Sequence, residues 1–315
     1  MRLVLLGVRG STPAPGAQFL RYGGHTSAVA VIGDADDVPS LILDAGTGLR
    51  ELPALLDGRA FQGCVVLSHL HWDHVQGLPF CPSLDHPDAV VDLVVPGPWD
   101  GAASAEAARR LLAGGMSPPH FPIGPDGLFG SWRFVPAAEG VLRLDGRSPD
   151  GRSPDGPAPV VTLARVRHKG GVTLGIRVEL DGASVAYLPD HALADPLDPG
   201  PATRALIDGV DLLVHDAQFL EPERERALAY GHSTIEDAVR LADHCAVGHL
   251  LLTHHAPQRT DDELDALAEA VTSTPQGRPV SFARQGDVLT VRPAARVLAA
   301  GLDESPPGTP EPSRR

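Results

Sequence analysis

The sequence predicts an α/β protein in which two sheets pack face to face with helices outside them. Short β-rich runs alternate with helix-like stretches, and a succession of strands followed by helices occurs twice along the chain. Size supports the same reading. A chain of 315 residues with 43% hydrophobic content can bury about three quarters of its unfolded surface. No composition break interrupts residues 1–295, so one domain is expected there, with a flexible loop insertion at 145–158 and a disordered tail at 296–315.

Taken in order, Leu3–Val8, Ser27–Ile32, Leu41–Asp44 and Cys64–Leu67 read as strands, and Leu49–Leu56 as a helix entered from Gly46-Thr47-Gly48. Val90–Val95 is a buried strand and Ala102–Leu112 a helix. Three further strands follow, Val160–Val166, Thr173–Leu180 and Ser184–Leu188, the last two joined by Asp181-Gly182, a tight-hairpin signal. Asp211–His215 is a strand. Thr234–Cys245 is a helix, with Ser233 as N-cap, Glu236 closing a capping box and Gly248 past its end. His249–Thr253 is a strand, Asp261–Val271 a helix and Val280–Val291 a final strand pair. Arg147–Gly151 is repeated at once as Arg152–Gly156, a low-complexity surface loop. The Pro-, Glu- and Ser-rich stretch from Gly301 to Arg315 has a disordered composition.

Charge and composition narrow the function. With 26 basic and 40 acidic side chains the net charge is −14, and Lys169 is the single lysine. That balance weighs against binding nucleic acid by phosphate neutralisation. It leaves room for a small anionic substrate at a local positive centre. Cys64, Cys81 and Cys245 lie too far apart in sequence for a CxxC zinc site or a disulfide framework. No apolar run approaches the roughly 18 residues of a membrane span, and the apolar part of Met1–Gly7 is too short for a signal peptide. A cytoplasmic protein is expected.

Most informative is Ser68-His69-Leu70-His71-Trp72-Asp73-His74, at the exit of an apolar strand. Extended geometry would point His69 and His71 the same way, with Asp73 and His74 turning toward a second position. Imidazole and carboxylate together suit Zn²⁺, Mn²⁺ or Fe²⁺. A solvated polar loop seldom places three histidines and an aspartate at this spacing.

His-x-His-x-Asp-His resembles the signature of the metallo-β-lactamase superfamily, which implies a four-layer αβ/βα sandwich with a dinuclear metal site between its sheets. The resemblance implies three later ligands. These are His168 in Arg167-His168-Lys169, Asp190 ending Tyr187-Leu188-Pro189-Asp190, and His254 in Leu252-Thr253-His254, beside the competing His255. His69, His71 and His168 would then hold one ion and Asp73, His74 and His254 the other, with Asp190 bridging. Two such ions about 3.5–4 Å apart can share a water, lower its pKa to around 7 and stabilise the charge that develops as the hydroxide attacks.

Two segments bear on the branch. His215-Asp216-Ala217-Gln218-Phe219 and Gly231-His232-Ser233-Thr234 resemble motifs of ribonuclease Z and its phosphodiesterase relatives. The resemblance makes His232 the general acid and Asp216 its orienting partner, with Asp73 in the same catalytic set; Asp216 is one methylene shorter than the family's Glu. A capping box explains Ser233 and Glu236 but not His232. Arg9, Arg21 and His25 are candidate substrate contacts, with a salt-bridged surface role favoured for each arginine.

Ribonuclease Z inserts a long tRNA-gripping arm between its third histidine and bridging aspartate. Here His168 and Asp190 are 22 residues apart, a span filled by a hairpin. The expectation is a dinuclear metal-dependent phosphodiesterase for a small or cyclic phosphodiester. The alternatives are a thioester or lactone hydrolase on the same site, a tRNA 3′-processing endonuclease, and a non-catalytic scaffold. The expected cofactors are two divalent ions, Zn²⁺ first. The expected partners are a small anionic substrate and a second copy of the chain, with neither membrane nor nucleic acid.

Overall fold

In the computed structural model, which describes residues 1–98, 103–144 and 158–293, the strands form two mixed seven-stranded sheets. The first contains β1 (Arg2–Gly7), β2 (Ala28–Ile32), β3 (Leu41–Leu43), β4 (Gln62–Val66), β5 (Val90–Val95) and β6 (Ser131–Pro136). The second contains β7 (Gly140–Arg143), β8 (Val160–Val166), β9 (Thr173–Leu180), β10 (Ala183–Leu188), β11 (Leu212–Asp216), β12 (Leu250–Thr253) and β13 (Val280–Phe282). The final strand, β14 (Val288–Thr290), returns to the first sheet and pairs with β1.

The helices are α1 (Leu52–Leu55), α2 (Trp72–Val75), α3 (Ala105–Ala113), α4 (Pro201–Ile207), α5 (Arg224–Tyr230), α6 (Ile235–His244) and α7 (Asp261–Ala270). Strand alternation explains the layering. In β2, Val29 and Val31 face a core shared with Ile176, Val185 and Val214 of the other sheet. The intervening Ala28, Ala30 and Ile32 face Leu52 and Leu112 on the outer side. A third cluster packs Leu213 and Leu252 against Ala238 and Leu241 of α6 and Leu264 of α7. Helix, sheet, sheet and helix stack in the expected four layers.

Several expectations are corrected. Val280–Val291 is not a strand pair, because Ala283–Asp287 carries the chain from one sheet to the other. Leu49–Leu56 becomes a 3₁₀ turn over Thr47–Glu51 leading into the short α1, with Pro53 in its first turn. The N-cap of α6 is Thr234, whose Oγ1 accepts from the Asp237 amide at 3.1 Å. Ser233 instead donates to the His191 carbonyl at 2.5 Å, and Glu236 closes no capping box. Gly248 does not end α6, since Ala246 takes the left-handed turn at φ 52°. Gly248 is small because a Cβ there would lie 2.6 Å from the Asp211 carbonyl oxygen. The Asp181-Gly182 turn forms as expected, with φ of 53° and 75°. The duplicated loop and the tail from 296 lie outside the described residues.

Polypeptide direction positions the site. β3 to β6 run parallel in one sheet and β10 to β13 in the other. The carboxyl ends of such strands open toward a common crevice, the usual place for a ligand in an open α/β sheet.

Candidate functional site

Six strand ends deliver the polar side chains. Asp44 follows β3, the His69–His74 segment follows β4, His168 follows β8 and Asp190 follows β10. Asp216 ends β11 and His254 follows β12. His69 is buried and His71 half-buried, while Asp73 and His74 come from the single turn of α2.

These ligand-type side chains meet in three overlapping groups, one of which is Asp190, His232 and His254. His69, His71, His168 and Asp190 present donor atoms within 4.8 Å of one another, as do Asp73, His74 and His254. Asp190 spans both. Its Oδ2 lies 3.7 Å from His69 Nε2 and 3.5 Å from His168 Nε2. Its Oδ1 lies 3.0 Å from His74 Nε2 and 3.2 Å from His254 Nε2. His254 Nε2 also stands 3.2 Å from Asp73 Oδ2. The adjacent His255 turns away, contacting the Ala283 carbonyl at 2.8 Å and packing against Tyr22 and Phe282. Burial in that apolar pocket pushes it down to about 3.

Electrostatics divide the groups. Burial lowers His69, His71 and His168 from the ordinary imidazole range, leaving neutral rings with a free lone pair. Burial would lower His74 too, but Asp190, Asp73 and Asp44 raise it well above that range. Burial would raise the Asp190 carboxyl, yet His254, His74 and His69 hold it well below the usual carboxylate range. Asp73 is held low in the same way by His74 and His254.

The residues fit a metal. Nε2 of His69 is buried without a hydrogen-bond partner, and Nε2 of His74 and Oδ1 of Asp190, although 3.0 Å apart, meet outside hydrogen-bond geometry. Buried carboxylates require pairing or a cation, and imidazoles kept neutral by burial are the form that ligates.

Sequence reasoning missed the supporting groups. Asp44 accepts from the Ser68 amide at 2.7 Å, Ser68 Oγ at 2.8 Å and the Tyr187 hydroxyl at 2.9 Å, and meets His74 Nδ1 at 2.7 Å. Its signal was an aspartate following a buried strand, as Asp190 does. The Gly231 carbonyl meets His168 Nδ1 at 2.5 Å. Gly170 lies so close that a Cβ would stand 2.9 Å from His71 Nε2.

Beside the cluster, His232 Nδ1 lies 2.8 Å from Asp216 Oδ2, so the shorter side chain does reach. Asp216 is buried and also accepts from the His191 and Gln218 amides, each at 3.1 Å. Burial would lower His232, but Asp216 overcomes it and raises the imidazole to about 9. The His232 ring stacks on His254 at 5.1 Å between centroids and meets His168 edge-on at 5.0 Å.

The other candidates lie off the site. Arg9 is wholly buried, bonded to the carbonyls of Gly23, Ala256 and Arg259 and 3.7 Å from Asp261, so its role is a buried structural one rather than a surface one. Arg21 is exposed and paired with Asp262 and Asp265. His25 approaches Thr47 and Glu51.

Residues 130–255 match the family described as Beta-lactamase superfamily domain. Ribonuclease Z of Exiguobacterium sp. is 41% identical over 96 residues, covering 30% of each chain. Ribonuclease Z of Natronomonas pharaonis is 25% identical over 294 residues, covering 83% of this chain and 89% of that one. The matched segments span less than a third of the length of the Exiguobacterium ribonuclease Z and of two others, from Shouchella clausii and Brevibacillus brevis. Among solved structures, a diphosphatase from the PhnP family superposes with a TM-score of 0.64 at 19% identity, covering 92% of this chain and 98% of that one.

Proposed function

We propose that this chain, whose residues 130–255 match the Beta-lactamase superfamily domain, is a dinuclear metal-dependent phosphodiesterase of the metallo-β-lactamase superfamily acting on a small or cyclic phosphodiester. His69, His71 and His168 would hold one divalent ion and Asp73, His74 and His254 a second, with one Asp190 oxygen toward each. Zinc is the first choice for this donor set, with manganese or iron(II) compatible with it. Divalent ions bound there would lower the pKa of a water and offset negative charge developing on the reacting phosphoryl group.

One observation carries the reading: His232, held at 2.8 Å by the buried Asp216, abuts a paired ligand cluster. With Nδ1 engaged by Asp216, Nε2 is the ring nitrogen left to meet a substrate. In hydrolysis the oxygen of water ends on phosphorus, the bond from phosphorus to the leaving oxygen breaks, His232 donates its proton to that oxygen, and the proton given up by the water restores His232 over the turnover. Asp216 sets the ring orientation and stabilises its charged form.

The family likeness to ribonuclease Z supports a second reading, a tRNA 3′-processing nuclease. The β9–β10 hairpin between His168 and Asp190 and the net charge of −14 favour the smaller substrate. Metal-loaded protein assayed on bis(p-nitrophenyl) phosphate, a thioester, a lactone and a precursor tRNA separates the readings. Turnover is expected on the phosphodiester, with about two ions per chain by elemental analysis. Asp190→Ala is expected to lose activity and at least one ion. Preference for the thioester or lactone, or efficient precursor cleavage at physiological salt, would replace the proposal with the corresponding alternative.

A further inference from the structure

A groove of about 750 Å³ opens beside the ligand cluster, with His69 and His71 among its lining residues. Its walls come from α2 and the turn after it, the end of α3 and the chain beyond, and the loop entering β9. Leu112 and Met116 are buried along it, while Trp72 and Phe80 stand 76% and 61% exposed. Phe80 and Phe121 meet edge-on with centroids 5.7 Å apart. Among the described residues that line it, none is Lys, Arg, Asp or Glu; the titratable ones are His69, His71 and His120.

Such a volume suits a group the size of a drug-like ligand. Exposed aromatic surface of this extent calls for an occupant. Among the described lining residues a chain of phosphates would find no lysine or arginine. Because the groove contains His69 and His71, its occupant comes within reach of the reacting centre. His232 is not among the lining residues, so groove and proton donor flank different parts of the cluster.

We propose that the groove binds an apolar alkyl or aryl group of the substrate, on the ester arm that His232 does not protonate. This rests on the phosphodiesterase reading for the bond broken, but not for the group recognised. The substrate class is thereby narrowed to a phosphodiester with one large apolar substituent.

The test uses two matched series, with metal-loaded protein throughout. In the first, p-nitrophenyl alkyl phosphodiesters from methyl to octyl are hydrolysed, so that the leaving group stays constant. In the second, alkyl phosphonates of the same lengths are bound and followed by calorimetry. A fully buried methylene is worth about fourfold in affinity, so kcat/KM and phosphonate affinity should each rise at least tenfold from methyl to hexyl. Binding should show a negative heat-capacity change that grows with chain length. Leu111→Glu, on the half-exposed face of α3, and Phe121→Ala should both collapse the octyl-to-methyl ratio.

If no diester is turned over but phosphonate affinity still climbs and Leu111→Glu abolishes the climb, the reaction is misassigned and the groove inference stands. Turnover with flat dependence on chain length overturns the groove inference and leaves the phosphodiesterase reading intact. Flat affinity together with a dimer that Leu111→Glu dissociates in sedimentation also overturns it, and assigns the groove to a second copy of this chain.

Discussion

Asp44 shows how much of this site is carried by a residue with no direct place in the ligand set. It sits at φ 59°, a conformation that a non-glycine residue adopts only when the surroundings enforce it. Four donors around its carboxylate supply that enforcement, and in return it fixes the His74 ring from behind. Loss of such a partner typically costs about 10–100-fold in metal affinity. Asp44→Asn should therefore weaken metal binding by that order in a chelator competition, and unchanged affinity would reduce Asp44 to a packing role. His232 makes a different prediction. General acid catalysis is worth about 10²–10⁴-fold, so His232→Ala should lose that factor on an alkyl phosphodiester. It should lose far less on a p-nitrophenyl ester, whose phenolate leaves unaided. Metal content should not change, and Asp216→Asn should show the same pattern more weakly. Equal losses on both leaving groups would remove His232 from the mechanism.

At the scale of elements, the site depends on where neighbouring segments begin and end. Helix α5 closes on Gly231 at φ 91°, and its carbonyl turns onto His168. A Cβ at Gly231 would stand 2.6 Å from the Lys169 amide nitrogen and 2.9 Å from His168 Nδ1. Gly231→Ala combines backbone strain with that clash, so a loss of more than about 1 kcal/mol is expected. The His168–Gly231 contact should part, and metal affinity should fall with the melting temperature. A variant that melts and binds metal like the parent would show that α5 does not set His168. Helix α6 offers the control. Thr234→Ala removes the cap and should cost about 1 kcal/mol, read in denaturant melts. Its effect on metal binding should be small, because Thr234 touches no ligand.

For the whole molecule, the proposed ligand set joins the two sheets. His69, His71, Asp73 and His74 follow β4 of the first sheet, while His168, Asp190 and His254 follow strands of the second. A bound ion would cross-link halves otherwise held by the central apolar core. Ligand binding to the folded state alone adds about 4 kcal/mol when free ligand exceeds Kd a thousandfold. Chelation should thus lower the calorimetric melting temperature by several degrees, and identical melts with and without chelator would exclude metal from the cluster. No described helix is long and apolar enough to cross a membrane. The charge of −14 makes the polar surroundings unfavourable for polyanions, so any RNA binding should lack the steep loss with salt that phosphate neutralisation produces, and a steep loss would overturn that expectation.

What the sequence determined by itself was the local and repetitive part. Near-continuous apolar runs in β1, β2 and β4 mark strands buried on both faces, and Asp181-Gly182 marks a hairpin because only a few residue types accept its left-handed φ values. The His69–His74 segment was legible because four ligand-type residues at one strand exit have no simple packing explanation. Tertiary structure decided the rest. The strand pair expected near the C-terminus divides between two sheets, which only their separate partners specify. Whether His254 or His255 faces the cluster turns on a φ of 59° at His254, a conformation imposed by its surroundings rather than by its residue type. Asp44, the Gly231 carbonyl and the groove beside His71 belong to segments far apart in the chain. Their roles arise from proximity, and a linear pattern carries no record of which strand ends will share one crevice.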